Sequence, residues 1–199
     1  MRVIAGKYRS RRLQTLHGTA LRPSSDRLRE TLFNVVGPAI EGAIFVDLFA
    51  GSGAVGIEAL SRGARGAIFV ENHPAGAALI ARNLTSLSIP TAAHVANRRT
   101  FAGSAEILRM DAMDALEQLA ESGARVEFVF ADPPYANTRA YEQTLTFLGE
   151  SELLARGGRV IAEHRRKTEL PSVAGRLERI RLLEQGDSAL SFYTPRLAA

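Results

Sequence analysis

Two short runs have residue types and spacings that could do chemistry. One is Val46-Asp47-Leu48-Phe49-Ala50-Gly51-Ser52-Gly53-Ala54-Val55-Gly56, the other Asp132-Pro133-Pro134-Tyr135. In the first, Gly51 and Gly53 let the backbone turn sharply and approach a ligand, since a residue with a Cβ is strained at positive φ. Gly51, Gly53 and Gly56 spell a dinucleotide fingerprint, and Glu71 stands where a ribose-binding acid belongs. A tight connection that binds nothing is the bland reading of the glycines. Asp47 separates the cofactor classes, because a carboxylate at the end of an apolar strand is costly unless hydrogen-bonded or facing a cation. S-adenosylmethionine brings an ammonium and a sulfonium, whereas a dinucleotide brings a pyrophosphate that this acid repels. The expected cofactor pocket is Asp47, Phe49, Ala50, Gly51, Ser52 and Gly53, with Glu71 and Asn72 beyond the next strand.

In the second run, Asp132, Pro133, Pro134 and Tyr135 are the expected catalytic residues. Two prolines fix φ and remove two amide donors, which stiffens the backbone. An exocyclic amino group on a nucleobase is a poor nucleophile, because its lone pair is delocalised into the ring. Acceptors aimed at its protons, such as Asp132 and the Pro133 carbonyl, favour a more pyramidal nitrogen. Tyr135 can stack on the base and orient it, so that proximity supplies most of the acceleration. A rigid turn after a strand is the structural alternative. A third acid, Asp111, followed by Ala112, stands where it could reach an adenine amine or cap a helix. The histidines at 17, 73, 94 and 164 have no metal-ligand spacing, so no metal site is expected.

These runs need elements to hold them. From residue 44 onward, short apolar runs alternate with amphipathic stretches, the pattern of βαβ units and a mostly parallel sheet. Strands are expected at 44–48, 67–70, 106–110, 126–131 and 159–162, and helices at 54–62, 74–87, 112–122 and 139–149. The stretches 177–183 and 188–193, joined by Gly186-Asp187, read as an antiparallel pair. Near the N-terminus a strand pair is expected at 2–5 and 12–14, then a helix capped by Ser25 or Asp26 with Arg27 and Arg29 facing outward. Residues 91–104 lack periodicity and read as a surface loop.

A chain of 199 residues with 46% hydrophobic content fits one compact core with a small appendage. It has no cysteine, which excludes disulfides, thiolate metal sites and cysteine nucleophiles. The absence of a long apolar run predicts a soluble, cytoplasmic protein without a leader or membrane span. The net charge of +4 is uneven: residues 1–36 hold eight Lys or Arg against two acids, and the remainder holds 17 against 19. A basic appendage on a near-neutral body suits a polyanion, since each phosphate contact releases counterions. Residues 1–40 are expected to form the basic extension and 41–199 the cofactor-binding domain.

The chain resembles the bacterial small-subunit ribosomal RNA guanine-N2 methyltransferases of the D type. The resemblance rests on Met1 to Lys7, Leu21 to Asn34, Val46 to Ala64 and Asp132 to Tyr135. Asp-Pro-Pro-Tyr is shared with many amino-group methyltransferases. Arg-Glu-x-Leu-Phe-Asn joined to the run through Glu58 to Ala64 is far more specific. The resemblance implies an α/β, class I (Rossmann-like) methyltransferase fold. Its sheet would be seven-stranded and mostly parallel with an antiparallel last strand, preceded by a small basic N-terminal hairpin and helix. It implies S-adenosylmethionine as cofactor and a guanine of 16S ribosomal RNA as substrate, within a small subunit or assembly intermediate, for a monomer that binds no membrane. Lys7, Arg9, Arg11, Arg12, Arg22, Arg27 and Arg29 would meet RNA, with Arg165, Arg166 and Lys167 on the same edge as the active site. The 91–104 stretch looks longer than usual, and Glu184-Gln185-Gly186 replaces a more typical basic residue, Tyr and Gly. The alternatives are amino methylation of adenine or of protein glutamine, and a noncatalytic RNA-binding module on the same fold.

Overall fold

The computed structural model describes residues 1–15, 26–97, 102–134 and 137–196. Strands β1 (Ile44–Asp47), β2 (Gly66–Val70), β3 (Ser104–Leu108), β4 (Val126–Ala131) and β5 (Leu154–Arg165) pair in parallel, in the order β3-β2-β1-β4-β5. The sheet then continues through β8 (Ser188–Pro195), β7 (Leu177–Gln185) and β6 (Val173–Ala174). β8 runs antiparallel to both β5 and β7, as expected of the last strand. Among the described residues the sheet has eight strands rather than seven. The addition is the two-residue β6, which Val173 and Ala174 form against Glu178 and Leu177, too short for any periodicity to betray.

Helices α2 (Ala54–Ser61) and α3 (Pro74–Ser86) pack on one face of the sheet with α1 (Asp26–Val36). Helices α4 (Ala112–Glu121) and α5 (Thr138–Glu150) cover the other. Alternation along each strand separates the two cores. Phe45, Phe69, Phe128, Phe130 and Ile161 face the α1–α3 side, while Val46, Ile68, Val129 and Val160 face α4 and α5. Each such side chain, once buried, contributes roughly 1.5–3 kcal/mol. β1 is buried at all four positions and α2 at all eight, which marks them as the centre of the molecule.

The N-terminal strand pair reduces to one antiparallel bridge, Arg2 with Arg12. The segment is held instead by α2. Glu58, fully buried, accepts from the amides of Ile4 and Ala5 at 2.8 and 3.0 Å, and Ser61 accepts from Lys7 and Tyr8. Gly6 lies at φ +80° where a Cβ would strike the Ser61 carbonyl. β3 starts two residues earlier than expected, and a 3-10 turn at Val95–Asn97 precedes it, with Val95 and Ala96 buried. Ser25 lies outside the described residues, and α1 begins at Asp26.

The outward orientation of Arg29 is corrected by the structure. Its side chain is 1% exposed, with Nη2 donating to the Arg2 carbonyl at 2.6 Å and to Asp26 at 3.0 Å, and Nε 3.9 Å from Glu58. The reason is the partners: buried Glu58 pairs with Arg62 at 2.8 Å, and Arg29 adds a second positive charge beside it while bonding Asp26. Burial lowers the Arg29 pKa, opposed by Glu58 and Asp26. Arg29 therefore cannot contact RNA in this fold.

Candidate active site at the carboxyl edge of the sheet

All five parallel strands end at one edge, and the sequence places a polar group just past or at the end of each. Ala50 N donates to the Val70 carbonyl, so the chain leaves β1 still tied to β2. Gly51 (φ 54°) and Gly53 (φ 76°) then reverse it into α2. Nothing stands within 4 Å of where a Gly51 Cβ would be, so the turn opens on free space. Gly56 serves packing, since a Cβ there would enter the Phe69 ring. Phe49 and Ser52 are partly buried beside the turn, whereas Asn72 is exposed.

Two carboxylates brace the turn. Asp47, 2% exposed, accepts from Gly56 N at 2.9 Å. Burial raises its pKa from 3.8 to about 7, the Gly56 hydrogen bond opposes this, and Glu71 adds to it. Glu71 accepts from Gly51 N and His73 N, both at 2.8 Å. Both Glu71 oxygens hold backbone, and each retains a lone pair for a further donor. Asp111 caps α4 by accepting from Met113 N at 2.9 Å, and its exposed carboxylate can take a second donor. Ala112 is buried in the first turn of that helix.

β4 delivers Asp132, Pro133 and Pro134 to the same edge, and Tyr135 lies outside the described residues. Pro133 is buried and Pro134 exposed, with the Pro134 carbonyl accepting from Asn137 N at 2.7 Å as α5 begins. Among the described residues, no donor reaches the Pro133 carbonyl. Burial raises the Asp132 pKa well above 3.8, and the charges of Glu163 and Asp47 push it further.

Glu163 is a member of this edge that sequence reasoning passed over. It is 3% exposed and lies one step beyond the Ala131–Ala162 pair, beside Asp132. The signal was present: an acid inside Val160-Ile161-Ala162-Glu163 poses the same burial problem as Asp47. Asp47, Asp132 and Glu163 thus gather on adjacent strands in a site whose electrostatics favour cations and hydrogen-bond donors. His164, next along β5, is kept neutral by burial and bonds Ser191 Oγ and the Arg165 carbonyl, both at 2.9 Å. Among the described residues, no cluster of His, Asp and Glu has the makings of a metal site.

The basic residues divide. Lys7, Arg9, Arg11, Arg12 and Arg27 are exposed, and Arg22 lies outside the described residues. Arg11 reaches the Ser86 carbonyl on α3 at 3.3 Å. Arg165, the last residue of β5, and Arg166 and Lys167 just past it are exposed at the same edge as Asp132. Arg166 pairs with Glu184 at 3.1 Å, so the unusual acid in the β7–β8 hairpin neutralises part of this patch.

Comparison with known proteins agrees with the geometry. The family model described as conserved hypothetical protein 95 matches residues 1–194. YlbH of Bacillus subtilis (strain 168) is 35% identical over 98% of this chain and 100% of its own length. Ribosomal RNA small subunit methyltransferase D of Escherichia coli (strain K12) is 36% identical over 87% of this chain and 79% of its own. The solved structure of yhhF from Escherichia coli superposes with a TM-score of 0.79 at 34% identity, covering 98% of this chain and 97% of that one. Matched along nearly its whole length in sequence and in fold, the chain belongs to the conserved hypothetical protein 95 family, alongside the small-subunit ribosomal RNA methyltransferases D.

Proposed function

We propose that this protein methylates the exocyclic N2 of a guanine in small-subunit ribosomal RNA, using S-adenosylmethionine. One observation carries the reading: Asp47, Asp132 and Glu163 converge beside a glycine turn that opens on free space. Acids gathered at one sheet edge suit a ligand that brings cations and donors. S-adenosylmethionine fits, because its ammonium and sulfonium answer Asp47 and its adenosine offers hydroxyls and an amine to Glu71 and Asp111. Bound there, it supplies an electrophilic methyl group.

The chain's own residues do the rest. Asp132 and the Pro133 carbonyl accept from the guanine amine and shift electron density onto its nitrogen. Methylation makes that nitrogen acidic, so the displaced proton passes to the Asp132 carboxylate or to water. Tyr135 is assigned the stacking of the base, which orders the approach. Residues 1–40 act as the RNA-contacting extension through Lys7, Arg9, Arg11, Arg12, Arg22 and Arg27, together with Arg165, Arg166 and Lys167. The expected setting is the bacterial cytoplasm.

A tritiated methyl-transfer assay on naked ribosomal RNA, small subunits, DNA and protein tests this. Label is expected at guanine N2 in the small-subunit RNA. Label confined to DNA or protein overturns the proposal.

A further inference from the structure

Asn83 sits in the third turn of α3, 0% exposed, among Leu79, Ile80 and Leu84. A buried amide in an apolar stripe is costly unless its hydrogen bonds are made, and here they run to two distant segments. Nδ2 donates to the Ser52 carbonyl, between the two glycines of the cofactor turn, at 2.9 Å. The same nitrogen donates to the Gln14 carbonyl at 3.1 Å, and Oδ1 accepts from Gln14 N at 2.8 Å. One planar group thus joins the cofactor turn to the basic N-terminal segment. Because it is rigid, it cannot follow a shift in one partner without disturbing the other.

The neighbouring contacts place this bond in a bracket. Glu71, which holds Gly51, also holds the amide of His73, the residue that caps α3. Three residues past Asn83, the Ser86 carbonyl accepts from Arg11. The other foothold of the segment is α2, through Glu58 and Ser61, and α2 starts directly after Gly53. The basic segment therefore straddles the two helices that flank the turn.

We infer that Asn83 is a positioning residue that links cofactor occupancy to the setting of the RNA-contacting segment. Filling the turn fixes the Ser52 carbonyl, which fixes Asn83 and through it Gln14. By reciprocity, RNA bound to the segment then tightens cofactor binding by the same factor. This rests on the reading of residues 1–40 as the RNA-contacting extension.

Two measurements on the full chain separate this inference from that reading. Hydrogen exchange at the Leu13 amide, with and without S-adenosylhomocysteine, follows the linkage without RNA. Anisotropy of a fluorescein-labelled transcript of small-subunit ribosomal RNA, under the same two conditions, follows its effect on binding. For the native chain, S-adenosylhomocysteine slows the exchange and tightens the transcript by about fivefold or more. Asn83→Ala loses both responses. Should that variant fail to fold, Gln14→Pro serves, since it removes the amide donor to Asn83 at an exposed position and leaves Asn83 itself in place. Gln14→Pro keeps its cofactor affinity and loses the dependence of RNA binding on cofactor. Equal exchange with and without S-adenosylhomocysteine overturns the linkage. A transcript that does not bind at all overturns the RNA reading, and the exchange result still decides the linkage.

Discussion

The Gly56 amide donates to Asp47 Oδ2 at 2.9 Å, so a single carboxylate fastens the first turn of α2 to the end of β1 across the glycine turn. Asp47→Ala orphans that amide and removes the counter-charge from the pocket. S-adenosylmethionine affinity is expected to fall tenfold or more, about 1.4 kcal/mol at the least, by calorimetry.

Asp47 also predicts a pH dependence. Its pKa rises from 3.8 to about 7, so between those values the folded chain holds this proton and the unfolded chain releases it. The stability contributed by this group is present at low pH and is lost as pH rises through that window. A bound cation restores it. The thermal shift produced by S-adenosylmethionine is expected to be larger at about pH 8 than at about pH 6. In Asp47→Asn this difference should shrink.

Asp132→Ala is expected to reduce methyl transfer by about a hundredfold or more, the scale of a lost preorganised hydrogen-bond partner, while cofactor affinity stays close to native. Single-turnover kinetics and calorimetry read the two effects. Tyr135→Ala should behave alike, by the loss of stacking. Turnover at the native rate in either variant removes that residue from the chemistry.

Arg29 belongs to stability rather than to RNA recognition. Removing one partner of a buried ion pair costs about 3–5 kcal/mol, because the other charge is stranded. Arg29→Ala and Glu58→Ala should each lower the free energy of unfolding, read from urea titration, by less than that, since Arg62 still pairs with Glu58 at 2.8 Å and Asp26 with Arg29 at 3.0 Å. Their double variant should cost less than the sum, since the two side chains share one buried charge network with Asp26 and Arg62.

Reversing the charges of Arg9, Arg11 and Arg12 should weaken RNA binding and flatten its dependence on salt. Each phosphate left unneutralised on a single strand reduces the slope by about 0.7. Cofactor affinity is expected to hold. A slope equal to that of the native chain assigns the segment another task.

Much of the fold was legible because its causes are local. Doubly buried strands read as apolar runs, helices as stripes at three and four residues, and the turns at Gly51 and Asp132 as breaks where periodicity stops. Strand ends moved by a few residues, most at β5, which runs from Leu154 because Val126 pairs there across a bulge. Polar residues inside regular elements were harder to read, although the acid in Val160-Ile161-Ala162-Glu163 carries the same signal as Asp47. Arg29, Glu58, Asn83 and Glu163 fall on helices or strands where a polar residue is ordinarily read as solvated surface. Their burial is decided by partners far along the chain: Glu58 for Arg29, Gln14 and Ser52 for Asn83, Asp132 beside Glu163. The amino acid order alone determined which elements form and which chemistry stands at their ends. Tertiary packing decided which charges lose water, because the cost of burying a charge depends on what faces it across the core, and no local pattern records that.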